Sequence, residues 1–599
     1  MAEPGEQAAS GEQAASGEQA ASGEQASGRP ALPGRPWVAS YAEGVPDDLP
    51  AVEGSLYDLI RHSVETYPEH VALEFFGRET TYAELGAEIE RAAEGLRLLG
   101  VQKGDPVAIV LPNCPQHIVA FYAVLRLGGI VVEHNPLYTP RELRHQFEDH
   151  GARVVVAWDK VVDTLQAFPA DLKLAHIVSV DPTRAMPFGT RLALRLPIAK
   201  ARESRAALTT KVRGTVPWPE LVEAQPIDAH IIAPEVDDVA LIQYTSGTTG
   251  SPKGATLSHA NLIANAAQSR SWVPEIPRGS AVVYAVLPMF HAYGLTLCLT
   301  FAMSMGARLV LFPKFDPDLV LKVVKRRPPT FLPAVPPIYE RLTAAAAAEG
   351  VPLAGIRIAI SGAMPLSPAV VEPWEAATGG YLVEGYGLSE CSPVLMANPV
   401  APNRKAGTVG LPLPGTECRV VDPEEPTRDV EPGAEGELVV RGPQVFSGYW
   451  KKPDETAAVF VEDPEGGAPW FRTGDIVSID DEGFVRIVDR IKELIITGGF
   501  NVAPSEVEEA LRTHPSVADV AVVGLPDAHS GEQVVAVVVL KPGQQLDEAG
   551  IRQAARDQLT PYKVPKRVVA VEELPRSLIG KVIRREVRTR LINAEAGQG

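Results

Sequence analysis

The sequence predicts an α/β protein with a large multi-sheet N-terminal domain and a small α+β C-terminal domain. Three observations lead there. Apolar runs of strand length alternate with longer helical runs over residues 51–489. After Arg490 the pattern starts afresh with its own strands and helices. The 599 residues also exceed what one hydrophobic core holds.

The first residues repeat GEQAAS from Gly5, Gly11 and Gly17, with a shortened copy from Gly23. Such a composition cannot build a core, so residues 1–50 read as a disordered tail. Glu3 and Glu6, and the lack of an apolar core before Leu32, exclude a secretory signal. VAIVLPN at 107–113 reads as a buried strand, and PQHIVAFYAVLRLGG from Pro115 as a helix. Thr139, Pro140 and Glu142 form a capping-box pattern opening a helix that Gly151 closes before the strand ARVVVAW. DVALIQY (238–244), ARLVLF (307–312) and IRIAIS (356–361) read as further strands, each leading into a glycine- or proline-rich loop. Ligands sit at such strand ends. Residues 292–307 (AYGLTLCLTFAMSMGA), bounded by His291 and Arg308, fall below the roughly 20 apolar residues of a bilayer span and read as a buried helix. In the C-terminal part a helix from Ser505, the strands ADVAVVGL and VVAVVVL, and a helix from Asp547 follow one another.

A formal net charge of -19 argues against a general nucleic-acid binder, which needs clustered cations. Cys114, Cys298, Cys391 and Cys418 are too scattered for a C-x-x-C metal site or a disulfide framework, which points to reduced thiols in a cytoplasmic enzyme. One stretch runs against the acidic average: Arg191, Arg195, Lys200, Arg202, Arg205, Lys211 and Arg213 punctuate Leu192, Leu194, Leu196 and Ile198. It could make a peripheral contact with an anionic membrane. A solvated loop or helix face is the plainer reading.

The sharpest motif follows the strand at 238–244: Tyr244, Thr245, Ser246, Gly247, Thr248, Thr249, Gly250, Ser251, Pro252, Lys253, Gly254. Glycine and hydroxyl residues in this order can wrap N–H and O–H donors around phosphate oxygens, and Lys253 adds charge. A Walker loop is excluded, because Lys253 stands between Pro252 and Gly254. The bland alternative is a flexible surface loop.

Further along come LPMFHAYG (287–294), SGAMPLSP (361–368), VEGYGLSE (383–390), WFRTGDI (470–476), VDRIKELIITGGFNVAPSEVE (488–508) and PRSLIGKVIRRE (575–586). With the phosphate loop, this ordered series resembles the adenylate-forming superfamily of acyl-CoA synthetases, luciferases and peptide-synthetase adenylation domains. It is most similar to the bacterial long-chain fatty-acid–CoA ligases. The resemblance implies an adenylation domain at 51–489, a hinge at 490–492 with Lys492 as pivot, and a small mobile C-terminal domain at 493–599. It implies ATP, Mg²⁺ and coenzyme A as partners of the reaction. Glu390 would engage the Mg²⁺, Tyr386 would face adenine, and Asp475 would accept from the ribose hydroxyls. Gly362, Ala363, Glu384, Gly385, Gly387, Ser389 and Arg490 would complete the nucleotide site. His291, Tyr293 and Gly294 would border the acyl pocket, with His291 positional rather than acid–base. Lys581 would reach the reacting carboxylate and α-phosphate, and Gly498 and Gly499 would line the pantetheine tunnel.

The residue chemistry agrees with this. A carboxylate approaching the α-phosphate of ATP meets like charge, so cations are required where charge develops. Two other readings stand beside the fatty-acyl one: a ligase for aromatic or dicarboxylic acids or one that loads a carrier protein, and an inactive relative that only binds acid or nucleotide. Retention of Lys253, Glu390, Asp475, Arg490 and Lys581 disfavours the last.

Overall fold

The computed structural model describes residues 35–172, 174–231, 234–245, 252–463, 466–497, 500–527, 531–559, 561–577 and 580–596. Among these, three sheets build the large lobe and one builds the small lobe. An eight-stranded sheet has the order Gly448–Tyr449, Lys253–Ser258, Val239–Thr245, Ile130–Glu133, Pro106–Val110, Val154–Trp158, His176–Val180 and Val216–Pro217. A nine-stranded sheet centres on the parallel strands Phe331–Ala334, Ile358–Ser361 and Tyr381–Gly387. A five-stranded antiparallel sheet carries Trp470–Ile479 and Val485–Arg490, the last strand before the small lobe.

The sequence signals translate directly into these elements. The Thr139 hydroxyl accepts from the Glu142 N–H while the Glu142 carboxylate takes the Thr139 N–H, and the helix Pro140–His150 ends on Gly151 at φ +71°. Helix Pro115–Arg126 is buried from Gln116 onward, as a helix apolar on every side must be. Residues 292–304 are buried throughout and widen to π geometry over Leu295–Thr300. The Thr296 hydroxyl donates to the Ser392 carbonyl at 2.5 Å and so ties this segment to the turn bearing Glu390. Among the described residues, no helix is long and apolar enough to cross a membrane.

In the small lobe the strands Val517–Asp527 and Gly531–Leu540 are apolar at successive positions because both faces are covered. Val520, Val522, Val534, Ala536 and Val538 pack under the helices Pro504–Arg512 and Glu548–Arg556. Ala521, Val523, Val535 and Val537 face the helix Arg584–Ala596 through Val587 and Leu591.

One boundary requires correction. The expected tail of residues 1–50 ends earlier, because Trp37, Val38, Tyr41 and Val45 are buried in the large-lobe core. The Tyr41 hydroxyl donates to the Pro412 carbonyl at 2.6 Å, and its ring meets Trp272 edge-on. Four irregularly spaced apolar side chains gave no periodicity to read, and partners such as Trp272 and Pro412 lie hundreds of residues away. Trp37→Ala should therefore cost about 3 kcal/mol of stability, read as a lowered denaturant midpoint, while a chain starting at Arg35 should unfold as the full chain does. An unchanged midpoint for Trp37→Ala would mean that this segment adds nothing to the core.

Candidate active site

Strand Val239–Thr245 pairs antiparallel with Lys253–Ser258, Thr245 opposite Lys253, so the chain leaves and re-enters the sheet at one point. Of the phosphate-loop expectations, Ser246, Gly247, Thr248, Thr249 and Gly250 lie outside the described residues, as do Gly498 and Gly499. Lys253 and Ala255 share a face by the two-residue period, and Tyr449 on the edge strand pairs with Ala255. The Lys253 ammonium consequently lies 5.1 Å from the centre of the Tyr449 ring. The Tyr449 hydroxyl donates to Glu390 Oε1 at 2.8 Å. Nothing in the sequence singled out Tyr449, since its role depends on pairing between strands some 190 residues apart.

Glu390 occupies a short 3-10 turn, Ser389–Cys391, fixed by its own carbonyl, which accepts from Phe446 N–H at 2.8 Å. Burial raises the Glu390 carboxyl pKa, and the Tyr449 hydrogen bond and the Arg490 charge oppose that rise. Among the described residues no group of three or more His, Cys, Asp or Glu could hold an ion alone. A single carboxylate fits Mg²⁺, which is ordinarily held by one or two carboxylates together with substrate phosphates and water. Upstream of Glu390, Gly387 has no alternative, because a Cβ there would lie 2.0 Å from the Pro393 carbonyl oxygen.

Asp475 is 2% exposed, and its carboxylate is shared. Oδ2 accepts from the Tyr386 hydroxyl at 2.5 Å, and Oδ1 pairs with Arg490 Nε at 2.9 Å. Register explains the second contact, since Asp475 and Arg490 stand directly opposite on neighbouring antiparallel strands. Burial, then the Asp475 charge, pushes the Tyr386 phenol up and keeps it a donor. The turn before Asp475 is braced by a residue the motif did not mark: Glu437, nearly fully buried, accepts from Arg472 Nε at 2.9 Å and from Gly474 N–H at 3.2 Å. Gly474 adopts φ +72°, and the Thr473 hydroxyl accepts from Asp475 N–H at 3.1 Å.

Lys581 arrives from the small lobe on a tight turn in which its carbonyl accepts from Ser577 N–H at 2.7 Å and Gly580 N–H donates to the Ser577 carbonyl at 2.8 Å. Gly580 has φ +83° and lies against the large lobe, its missing Cβ 3.4 Å from Met364 Sδ in the SGAMPLSP segment. Burial, then repulsion from Arg490, lowers the Lys581 pKa, while Glu493 and Asp475 draw it back up. The lysine thus stands in the field of the Asp475–Arg490 pair. Arg584, not marked in the sequence, anchors this arm. It holds both oxygens of Glu508 at 2.8 Å and the Ser505 hydroxyl at 3.0 Å, and it pairs with Glu493 in the 3-10 turn that follows Arg490. Lys492 lies in the 3-10 turn Ile491–Glu493 between the lobes.

Around the residues expected to border the acyl pocket, Asn113, just past its strand, clamps the approach to His291. Its amide donates to the Ala285 and Leu287 carbonyls at 3.0 and 2.7 Å and accepts from Met289 N–H at 2.9 Å. His291 Nδ1 accepts from Tyr293 N–H at 3.3 Å, and burial pushes its pKa down to about 4, so it is neutral near pH 7 and suits a positional role. The Tyr293 hydroxyl is used internally, donating toward the Ile360 and Ala334 carbonyls at 2.7 and 3.1 Å. Its ring stands 3.1 Å from where a Cβ on Gly362 would be, and Gly294 is needed against the Pro288 carbonyl oxygen at 2.2 Å. These residues shape a wall and leave no spare donor on Tyr293. Ala363 takes φ +65° in the same loop. Glu384 pairs with Ser361 across the parallel strands and precedes Gly385.

A two-lobed α/β protein in which Tyr386, Asp475 and Arg490 meet between two sheets, with a lysine supplied by the smaller lobe, is thereby defined. The chain belongs to the AMP-binding enzyme family: residues 60–450 match the AMP-binding enzyme model and residues 506–581 match the AMP-binding enzyme C-terminal domain. It is 37% identical to a long-chain-fatty-acid–CoA ligase of Bacillus subtilis, over 92% of this chain and 97% of that protein. The fold is similar to ATP-bound MatB from Rhodopseudomonas palustris, at TM-score 0.76 and 32% identity over 89% of this chain and 98% of that one. It is also similar to a Mycobacterium tuberculosis fatty acyl CoA synthetase, at TM-score 0.69 and 27% identity over 90% and 98% of the two chains.

Burial raises the Glu384 carboxyl from its ordinary 4.5 to about 8, against a hydrogen bond from the Leu366 backbone. Between those values the folded protein keeps a proton that the unfolded chain has lost, so stability falls as pH rises from 4.5 to about 8 and levels off above it. Glu384→Gln should remove this contribution, and the variant should gain on the wild type across that window in parallel denaturation series. Identical pH slopes for the two proteins would show that Glu384 ionises normally.

Proposed function

We propose that the chain uses ATP to activate a medium- or long-chain fatty acid as its acyl-adenylate and then transfers the acyl group to coenzyme A, releasing AMP and pyrophosphate. The observation that carries this reading is the convergence of Lys581 from the small lobe with Asp475 and Arg490 of the large lobe. The similarity to fatty-acid–CoA ligases over nearly the whole chain supports the acid class. Four free, buried cysteines accord with action in the cytoplasm.

In this reading Tyr386 offers its ring to adenine, and Asp475, whose oxygens each keep a lone pair beyond the contacts described, accepts from the ribose hydroxyls. Lys253 and the hydroxyl loop hold the β- and γ-phosphates. Mg²⁺ beside Glu390 would neutralise phosphate charge when bound. A carboxylate oxygen of the acid forms a bond to the α-phosphorus, and the bond to the pyrophosphate oxygen breaks. Lys581 stabilises the charge that accumulates between carboxylate and α-phosphate. In the second step the coenzyme A sulfur attacks the acyl carbon, AMP leaves, and the thiol proton is released.

Purified protein with Mg²⁺, ATP, coenzyme A and a fatty acid should yield acyl-CoA, AMP and pyrophosphate. ADP and phosphate would refute the adenylate route, and turnover confined to aromatic acids would move the acid class. Lys581→Ala should slow adenylate formation by about 10²–10³-fold and leave thioester formation from supplied acyl-adenylate largely intact. Lys492→Pro should do the reverse, because fixing φ at the pivot hinders rotation of the small lobe. Equal slowing of both steps by Lys581→Ala would contradict the division of labour.

A further inference from the structure

Residues 184–213 leave the strand His176–Val180 and return to its neighbour Val216–Pro217 at one edge of the eight-stranded sheet. Three strands, Val154–Trp158, Pro106–Val110 and Ile130–Glu133, separate that edge from Val239–Thr245 and its phosphate loop. The segment is therefore remote from the active site.

Two features coincide on it. Phe188 is 78% exposed, Leu192 56%, Leu196 48% and Ile198 53%. Among the described residues ten large hydrophobics are exposed, and four of them cluster here, so the exposure is a local feature and not scatter. Around them stand eight basic residues, Arg184, Arg191, Arg195, Lys200, Arg202, Arg205, Lys211 and Arg213, against one acid, Glu203, on a chain whose net charge is -19. Arg184, Arg191, Arg195 and Arg205 converge with Thr183 and Asp181 on a cavity of about 200 Å³. Asp181 is engaged by Thr183 N–H and hydroxyl at 2.9 and 2.6 Å and lies 4.0 Å from Arg184. Among the described residues, Arg191, Arg195 and Arg205 have no carboxylate partner.

Unpaired guanidiniums around a small cavity suit a phosphate group, which Arg binds in a planar, two-pronged manner. A free phosphate would account for the cavity but not for the ring of exposed apolar side chains. A second copy would set two strongly cationic faces against each other and be repelled. An anionic bilayer satisfies both features at once. We propose that residues 184–213 dock the protein on anionic phospholipid membranes, with Phe188, Leu192, Leu196 and Ile198 entering the headgroup–acyl boundary and Arg184, Arg191, Arg195 and Arg205 holding one lipid phosphate. Only its purpose, access to an acid that partitions into lipid, rests on the fatty-acid reading above; the docking itself does not.

Sedimentation of the full chain with vesicles tests this without reference to activity. Wild type should bind phosphatidylglycerol–phosphatidylcholine vesicles and not pure phosphatidylcholine. R191Q/R195Q/R205Q should weaken partitioning by about 100-fold, and F188S/L192S/I198S by about tenfold or more, with unchanged melting temperatures. R191K/R195K/R205K, which keeps the charge, should retain most of the binding and guards against misfolding of the neutral variant. Failure of wild type to bind the anionic vesicles, or equal binding by the neutral and apolar variants, would overturn the proposal. So would binding abolished by millimolar inorganic phosphate yet indifferent to F188S/L192S/I198S, which would indicate a free-anion site. A dimer lost in the apolar variant, without vesicle binding, would assign the face to a second copy and overturn it as well.

Discussion

A carboxylate buried as deeply as Asp475 is costly unless its charge is matched, and the way it is matched organises the site. Tyr386 and Arg490 divide its two oxygens between them, which joins a strand of the nine-stranded sheet to the last two long strands of the five-stranded sheet. The arrangement is possible because Glu437 takes up Arg472 and the Gly474 N–H, leaving Asp475 free to face Tyr386. Lys581 and Glu390 are then set in the field of this pair: Arg490 pushes the lysine pKa down and opposes the rise at Glu390.

The same pair lies at the joint between the lobes. Asp489 accepts from Ser505 N–H of the small lobe at 2.8 Å, and Gly580 rests against Met364 of the large lobe. Any rotation about residues 490–492 has to break both contacts. Arg584 with Glu508 is internal to the small lobe and survives such a rotation. If the small lobe rotates in the proposed reaction, the Asp489–Ser505 and Gly580–Met364 contacts are the ones that would open and close. The cationic segment at 184–213 lies at the far edge of the eight-stranded sheet, away from this joint.

Sequence alone determined a great deal here. Local rules placed the capping box at Thr139, the stop at Gly151, and the strands around Val107, Val239 and Ile358, because each depends on neighbours within a few residues. The ordered motifs named Lys253, Glu390, Tyr386, Asp475, Arg490 and Lys581 as the residues on which the proposed site is built. Tertiary structure alone decided which groups serve them. Tyr449 reaches Lys253 and Glu390 only through strand pairing, Glu437 and Arg584 are ordinary charges until their partners arrive, and Trp37 and Tyr41 look like tail residues until the core receives them. The exposure of Phe188, Leu192, Leu196 and Ile198 belongs to the same class. Periodicity and motif spacing report contacts along the chain, whereas pairing, burial and charge matching across hundreds of residues exist only once the chain has folded.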